Sequence, residues 1–162
     1  MKDKERNKPD LLSMQSILTN AVQAQRAEEM KTSPQLVLGE LILKLEAIEN
    51  KKLPVIFDDG KYHPVSVDSW RGSYCELAIE YSGEGARLKL ADFLKILKDT
   101  IGETFTGYKG GDYVMGKTTP VWVANYGDSS GFKRDGDKCY QAVIDVSKVE
   151  NALIIETRAV DY

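Results

Sequence analysis

An α+β domain is what this sequence predicts: an antiparallel or mixed sheet of about five or six strands packed by two helices, with an N-terminal helical extension. Three observations carry that expectation. Two segments, 38–48 and 90–101, place apolar residues at three- and four-residue steps. Several shorter segments alternate or run apolar between Gly, Asp, Asn and Pro residues. The chain has 162 residues, 42% hydrophobic and 29% charged, which suits one sizeable core without disulfides or metal.

Residues 1–9 are polar and charged and predict a disordered tail. Residues 10–32 predict an N-terminal helix, with Asp10 as its cap and Leu11, Met14, Leu18, Ala21 and Gln25 along one stripe. That stripe is thin, so the helix is expected to pack on a second copy or on the next helix, as an oligomerisation element. Residues 33–162 predict a single α+β domain. Ser33-Pro34 reads as a helix start. Leu38, Leu41, Ile42, Leu45 and Ile48 give the helix one strong apolar face, and Asn50-Lys51-Lys52 ends it.

Leu53 to Phe57 reads as a short apolar strand, followed by a turn at Asp58-Asp59-Gly60. A second strand follows over Tyr62 to Val67. From Cys75 the pattern alternates, with Cys75, Leu77, Ile79 and Tyr81 on one face, which predicts a half-buried strand and a core Cys75. Leu90, Phe93, Leu94, Leu97 and Ile101 predict the second helix of the domain, ending near Gly102. Val121 to Tyr126 reads as a strand with two apolar faces: either it is central and covered on both sides, or its Trp122/Tyr126 face is a binding surface. Arg134 to Asp137 is a turn, and Tyr140 to Val146 and Ala152 to Val160 are the terminal strands.

A formal net charge of −3 argues against bulk nucleic-acid binding. Two cysteines and one histidine fall short of a structural zinc site, so no metal or cofactor is expected. The start lacks the apolar core of a signal peptide, and the longest apolar-rich run, Leu36 to Leu45, is broken by Gly39, Glu40 and Lys44. A cytoplasmic setting away from membranes, with free thiols, is the expectation.

The functional signal concentrates between Phe105 and Phe132, which holds six aromatics and six of the chain's thirteen glycines. Glycines let backbone N–H groups approach another molecule closely, and aromatic faces offer stacking area. Tyr108-Lys109-Gly110-Gly111-Asp112-Tyr113 suggests an anion nest beside a lysine. Ser69-Trp70-Arg71-Gly72-Ser73-Tyr74 offers a guanidinium fork suited to phosphate or carboxylate. Asn125 and Ser129 offer further polar contacts.

Three segments carry a resemblance: LGELILKLEAIENKKLPVIFDDG, DSWRGSYCELAIEY and FTGYKGGDYVMGKTTPVWVANYG, within residues 36–131. Together they resemble a family of small bacteriophage and prophage proteins with SxRGxY-type and GYKGGD-type segments. The resemblance implies a phage-type accessory protein acting in a bacterial cytoplasm. It does not reach the N-terminal helix.

The sequence therefore points to a non-catalytic protein that sequesters a small anionic, nucleotide-like host signalling molecule. Arg71 and Lys109 would hold the anion, Gly110 and Gly111 would donate N–H groups, and Trp70, Tyr74, Tyr108 or Trp122 would stack. Ser69, Asp112, Asn125 and Ser129 complete the expected site, and a pocket between subunits would favour a homo-oligomer. One alternative is a protein–protein inhibitor of a host enzyme or defence complex, using the same Trp/Tyr/Arg surface. Another is a small metal-dependent hydrolase using Asp58, Asp59, Asp112 and Asp128. A Cys75–His63 nucleophile pair is the weakest enzymatic option, because Cys75 lies on the apolar face of a strand; His63, beside Pro64 in an edge segment, reads as a surface histidine.

Overall fold

The computed structural model describes residues 34–161 and, apart from them, Ala21, which is helical and exposed. In chain order, helix α1 (Leu38–Glu46) precedes strands β1 (Val55–Phe57), β2 (His63–Trp70) and β3 (Ser73–Ser82). Helix α2 (Leu90–Thr100) follows, then β4 (Thr104–Thr106), β5 (Asp112–Val114), β6 (Val121–Val123), β7 (Tyr140–Val149) and β8 (Ala152–Val160). Six strands form a mixed sheet in the order β1-β8-β7-β6-β3-β2, and β4 and β5 pair as a separate hairpin. The sheet curls, so that β1 meets the start of β2, where Phe57 N–H donates to the Tyr62 carbonyl at 2.9 Å. The expected α+β architecture is present. Apart from Ala21, the tail and helix expected over 1–32, with the assembly role given to that helix, lie outside the described residues.

Both helices pack on one face of the sheet. Leu38, Leu41, Ile42 and Leu45 of α1 and Leu90, Phe93, Leu94 and Leu97 of α2 bury against Leu77, Ile79, Val121, Val123, Val143, Leu153 and Ile155. Each such side chain contributes roughly 1.5–3 kcal/mol. This interface, rather than helix propensity, holds helices of only nine and eleven residues. β6 pairs parallel with β3, and α2 lies in the crossover that parallel pairing requires.

α1 starts four residues later than Pro34 suggests. Residues 35–37 are extended instead and join the sheet: Leu36 N–H donates to the Val143 carbonyl at 2.8 Å, Val121 N–H donates to the Leu36 carbonyl at 3.2 Å, and Val37 bridges Pro120. The helix then opens with Glu40 accepting from Val37 N–H at 3.2 Å. Its last turn is closed by Lys51, whose ammonium donates to the carbonyls of Leu45, Glu46 and Ile48.

β6 lies between β3 and β7 and is buried on both faces, ending at Val123 rather than Tyr126; Trp122 thus sits in a covered central strand, while Tyr126 lies beyond it and is exposed. Val121 and Val123 face the helices. Trp122 and Ala124 face the other way, with Trp70, Ala78 and Ala142. Alanine at position 78, on the strand between β2 and β6, leaves room for the indoles from those two strands to meet. Among the described residues no helix is long and apolar enough to cross a membrane.

Candidate functional site

The segments 69–74 and 107–113 come together. The first is the turn between β2 and β3; the second is the turn between β4 and β5. Gly107 packs against Tyr74 so closely that a Cβ there would lie 2.9 Å from the tyrosine ring, and Tyr74 meets Tyr113 at 6.0 Å between centroids. Arg71 lies over Tyr108, with its guanidinium carbon 4.4 Å from the ring centroid. The same guanidinium donates to the carbonyl of Gly127, in the connection after β6. Tyr108 in turn meets Tyr126 edge-on at 5.6 Å. Three distant stretches of sequence are thus fastened through one arginine.

What remains open to solvent is specific. Tyr108 is 47% and Tyr126 64% exposed, and Arg71, Lys109, Gly110, Gly111 and Asp112 are exposed around them. Gly110 and Gly111 adopt φ of 91° and 88°, a region open to glycine at little cost. The nest expected of them is partly closed, because Gly110 N–H donates to the Gly107 carbonyl at 2.8 Å. Asp112 accepts from the Thr106 hydroxyl at 3.1 Å.

Trp70 and Trp122 require correction as ligand-stacking groups. They are 0% and 3% exposed and stack on each other at 4.0 Å with planes 13° apart. Tyr140 closes on Trp70 edge-on at 5.7 Å. The Trp70 Nε1–H donates to the Ser129 carbonyl at 2.9 Å, and the Trp122 Nε1–H reaches Glu76 Oε1 at 3.4 Å. The physical reason is alternation: both side chains fall on the sheet face away from the helices, where they bury each other.

Ser69, Asn125 and Ser129 serve as fasteners. Ser69 Oγ donates to the Tyr74 carbonyl at 2.5 Å, and Asn125 Oδ1 accepts from Tyr81 N–H at 2.8 Å. Beside Ser69, burial pushes the Asp68 carboxyl above its ordinary range and the Glu80 charge adds to this, while the Ser69 N–H works against both. The Tyr81 phenol is likewise held above its ordinary value, by burial first and then by the Asp128 charge.

The enzymatic alternatives find other uses for their residues. Asp58 accepts from Thr157 N–H, the Thr157 hydroxyl and the Lys133 ammonium, each at 2.9 Å, which ties the end of β1 to β8. Asp59 accepts from Lys61 and Tyr62 N–H at 3.1 Å, and Asp128 accepts from Ser130 N–H at 2.9 Å. Among the described residues no three His, Cys, Asp or Glu side chains group as a metal site.

Cys75 is buried, as expected, but His63 is far from it. His63 pairs with Ser82 at the opposite end of β3, roughly 20 Å along a strand that rises about 3.3 Å per residue. His63 also corrects the surface expectation: it is 2% exposed, covered by the turn whose Glu84 carbonyl lies 2.9 Å from its Nε2.

A cavity of about 70 Å³ that the sequence did not signal opens between β3 and residues 114–120, lined by Cys75, Glu76, Val114, Gly116, Thr118, Thr119 and Pro120. Compared with protein-family models, curated proteins and solved structures, the chain matches none.

Proposed function

We propose that this chain is a non-catalytic binding protein whose contact surface is Arg71, Tyr108, Lys109 and Tyr126. The observation that carries this reading is the arginine held over an exposed tyrosine ring at the junction of three loops. A guanidinium has five N–H groups; one is engaged by Gly127, and the others suit a phosphate or carboxylate. Lys109 adds a second cation, and Tyr126 offers a ring for stacking. The favoured ligand is a small anionic, nucleotide-like molecule. The resemblance of residues 36–131 to phage and prophage accessory proteins supplies the setting, in which sequestering a host signalling molecule is an anti-defence act.

A protein partner, such as a host enzyme or defence complex, is the second reading. The inward packing of both indoles favours it, because the surface left is the Tyr/Arg mixture common at interface hot spots. A thermal-shift panel of linear and cyclic nucleotides separates the two. A true ligand at 100 times its Kd stabilises by about 2.7 kcal/mol, and roughly 2–4 °C per kcal/mol makes that a rise of about 5–10 °C. Arg71→Ala and Lys109→Ala should each abolish the rise. A panel that moves nothing, with a stoichiometric protein retained from host lysate, overturns the first reading in favour of the second.

A further inference from the structure

Cations and carboxylates alternate around the junction of Arg71, Tyr108 and Gly127. Arg71 and Lys109 are exposed on the β2–β3 and β4–β5 turns, and among the described residues neither forms an ion pair. Asp112 follows Gly111 directly and accepts from the Thr106 hydroxyl at 3.1 Å. Asp128 follows Gly127, whose carbonyl takes the Arg71 guanidinium, and its own N–H donates to the Asn125 carbonyl at 2.9 Å. Both carboxylates are exposed. The cations are therefore uncommitted, yet two negative charges stand one residue from the backbone that frames them. The donors are few as well. Tyr108 covers one side of the guanidinium and Gly127 takes one of its N–H groups, which leaves an edge suited to two oxygens of one anionic group. In the β4–β5 turn, Gly107 N–H donates to the Gly111 carbonyl at 2.9 Å and Gly110 N–H to the Gly107 carbonyl at 2.8 Å. The turn thus spends on itself N–H groups that a polyphosphate cradle would need.

We propose that the junction selects singly charged phosphodiesters, of the kind found in 3′,5′-cyclic nucleotides, over phosphate monoesters and polyphosphates. This rests on the small-anion reading above and narrows its ligand class. A phosphodiester carries one negative charge and two equivalent free oxygens, which the guanidinium edge takes together. A monoester carries a charge of about −1.5 to −2 at neutral pH. Its additional charge meets Asp112 and Asp128 rather than a further cation, and a triphosphate adds more charge of the same sign. The chain's net charge of −3 acts in the same direction. The exposed Tyr126 ring stacks on the base, which the diester and the monoester share, so the selection falls on the phosphate.

Isothermal titration of the full chain tests this, without added metal and at one ionic strength. The probes are the 3′,5′-cyclic and 5′-monophosphates of adenosine and guanosine, with ATP and GTP. At neutral pH the cyclic ester of the preferred base should bind roughly tenfold more tightly than its 5′-monophosphate, and the triphosphate most weakly. Affinity for the 5′-monophosphate should rise as pH falls through about 6, where the monoester takes up its second proton. The cyclic ester keeps its charge there and corrects for titration of the protein. Asp112→Asn/Asp128→Asn keeps both acceptors and removes both charges, so the ratio of cyclic to linear affinity should fall towards one. A 5′-monophosphate or triphosphate that binds the wild type as tightly as the cyclic ester overturns the proposal and leaves the small-anion reading intact. A ratio unchanged in the double variant overturns it as well, because the carboxylates then do not set the preference. Binding by none of the nucleotides overturns the small-anion reading and the proposal with it.

Discussion

Trp70→Ala separates the core from the surface that faces a partner. The indole is fully buried, stacks on Trp122 at 4.0 Å, meets Tyr140 at 5.7 Å and donates to the Ser129 carbonyl at 2.9 Å. Truncating a buried tryptophan costs about 3–5 kcal/mol. Loss of the stacked pair places this site at the upper end, at about 5 kcal/mol. For a domain of this size the melting temperature should fall by roughly 10–20 °C. Urea unfolding provides the assay: the midpoint should drop with the slope unchanged, since the surface exposed on unfolding is nearly the same. A variant with the wild-type midpoint that no longer binds ligand would return the indole to the contact surface.

Arg71→Ala should behave in the opposite way. An exposed cation–π contact and one hydrogen bond together contribute about 1–2 kcal/mol, so the fold should survive in urea while binding is lost; an unfolded variant makes Arg71 structural. Asp58→Ala leaves the N–H and hydroxyl of buried Thr157 without their carboxylate, at a cost of about 3 kcal/mol. That cost should be equal in EDTA and in Mg²⁺, and a loss seen only with metal present makes Asp58 a ligand.

Asp68 carries a pH dependence whose sign follows from its raised folded-state value. The fold holds the Asp68 proton more tightly than the unfolded chain does. That contribution is complete below the ordinary value of 3.8 and is lost as pH rises through the raised one. Asp68→Asn keeps an acceptor for Ser69 N–H and removes the charge, so it should be more stable than wild type at pH 7 and no more stable at pH values below 3.8. An equal advantage at both pH values rules out ionisation as the cause.

Much of the fold was legible because its apolar periods are strong. Leu38, Leu41, Ile42 and Leu45 mark the buried stripe of α1, and Cys75, Leu77 and Ile79 mark the inner face of β3. The start of α1 was not legible, since residues 35–37 give up helical pairing for bonds to β6 and β7, a tertiary effect with no local signal. The site divides in the same way. Residue types singled out Arg71 and the Tyr108 segment, but their nearness was not legible, because a helix and two strands separate them in sequence; the geometry brings them together. The roles of Trp70 and Trp122 did not follow, because an indole facing solvent and one facing another indole read alike in sequence. Tyr126 was noted for its strand face but not as the exposed neighbour of Tyr108. Asp58, Gln141 and Thr157 form a network across the sheet, and their sequence separation hid it.

In the proposed function, the Arg71–Tyr108–Tyr126 junction binds an anionic, ring-bearing molecule without transforming it. A heteronuclear NMR titration of the full chain with linear and cyclic nucleotides reads that junction directly. Shifts should gather at the Arg71 guanidinium, the amides of Gly110, Gly111 and Gly127, and the rings of Tyr108 and Tyr126, with the nucleotide recovered unchanged. Shifts gathered instead around Cys75 and residues 118–120, or a nucleotide that is consumed, contradict the account.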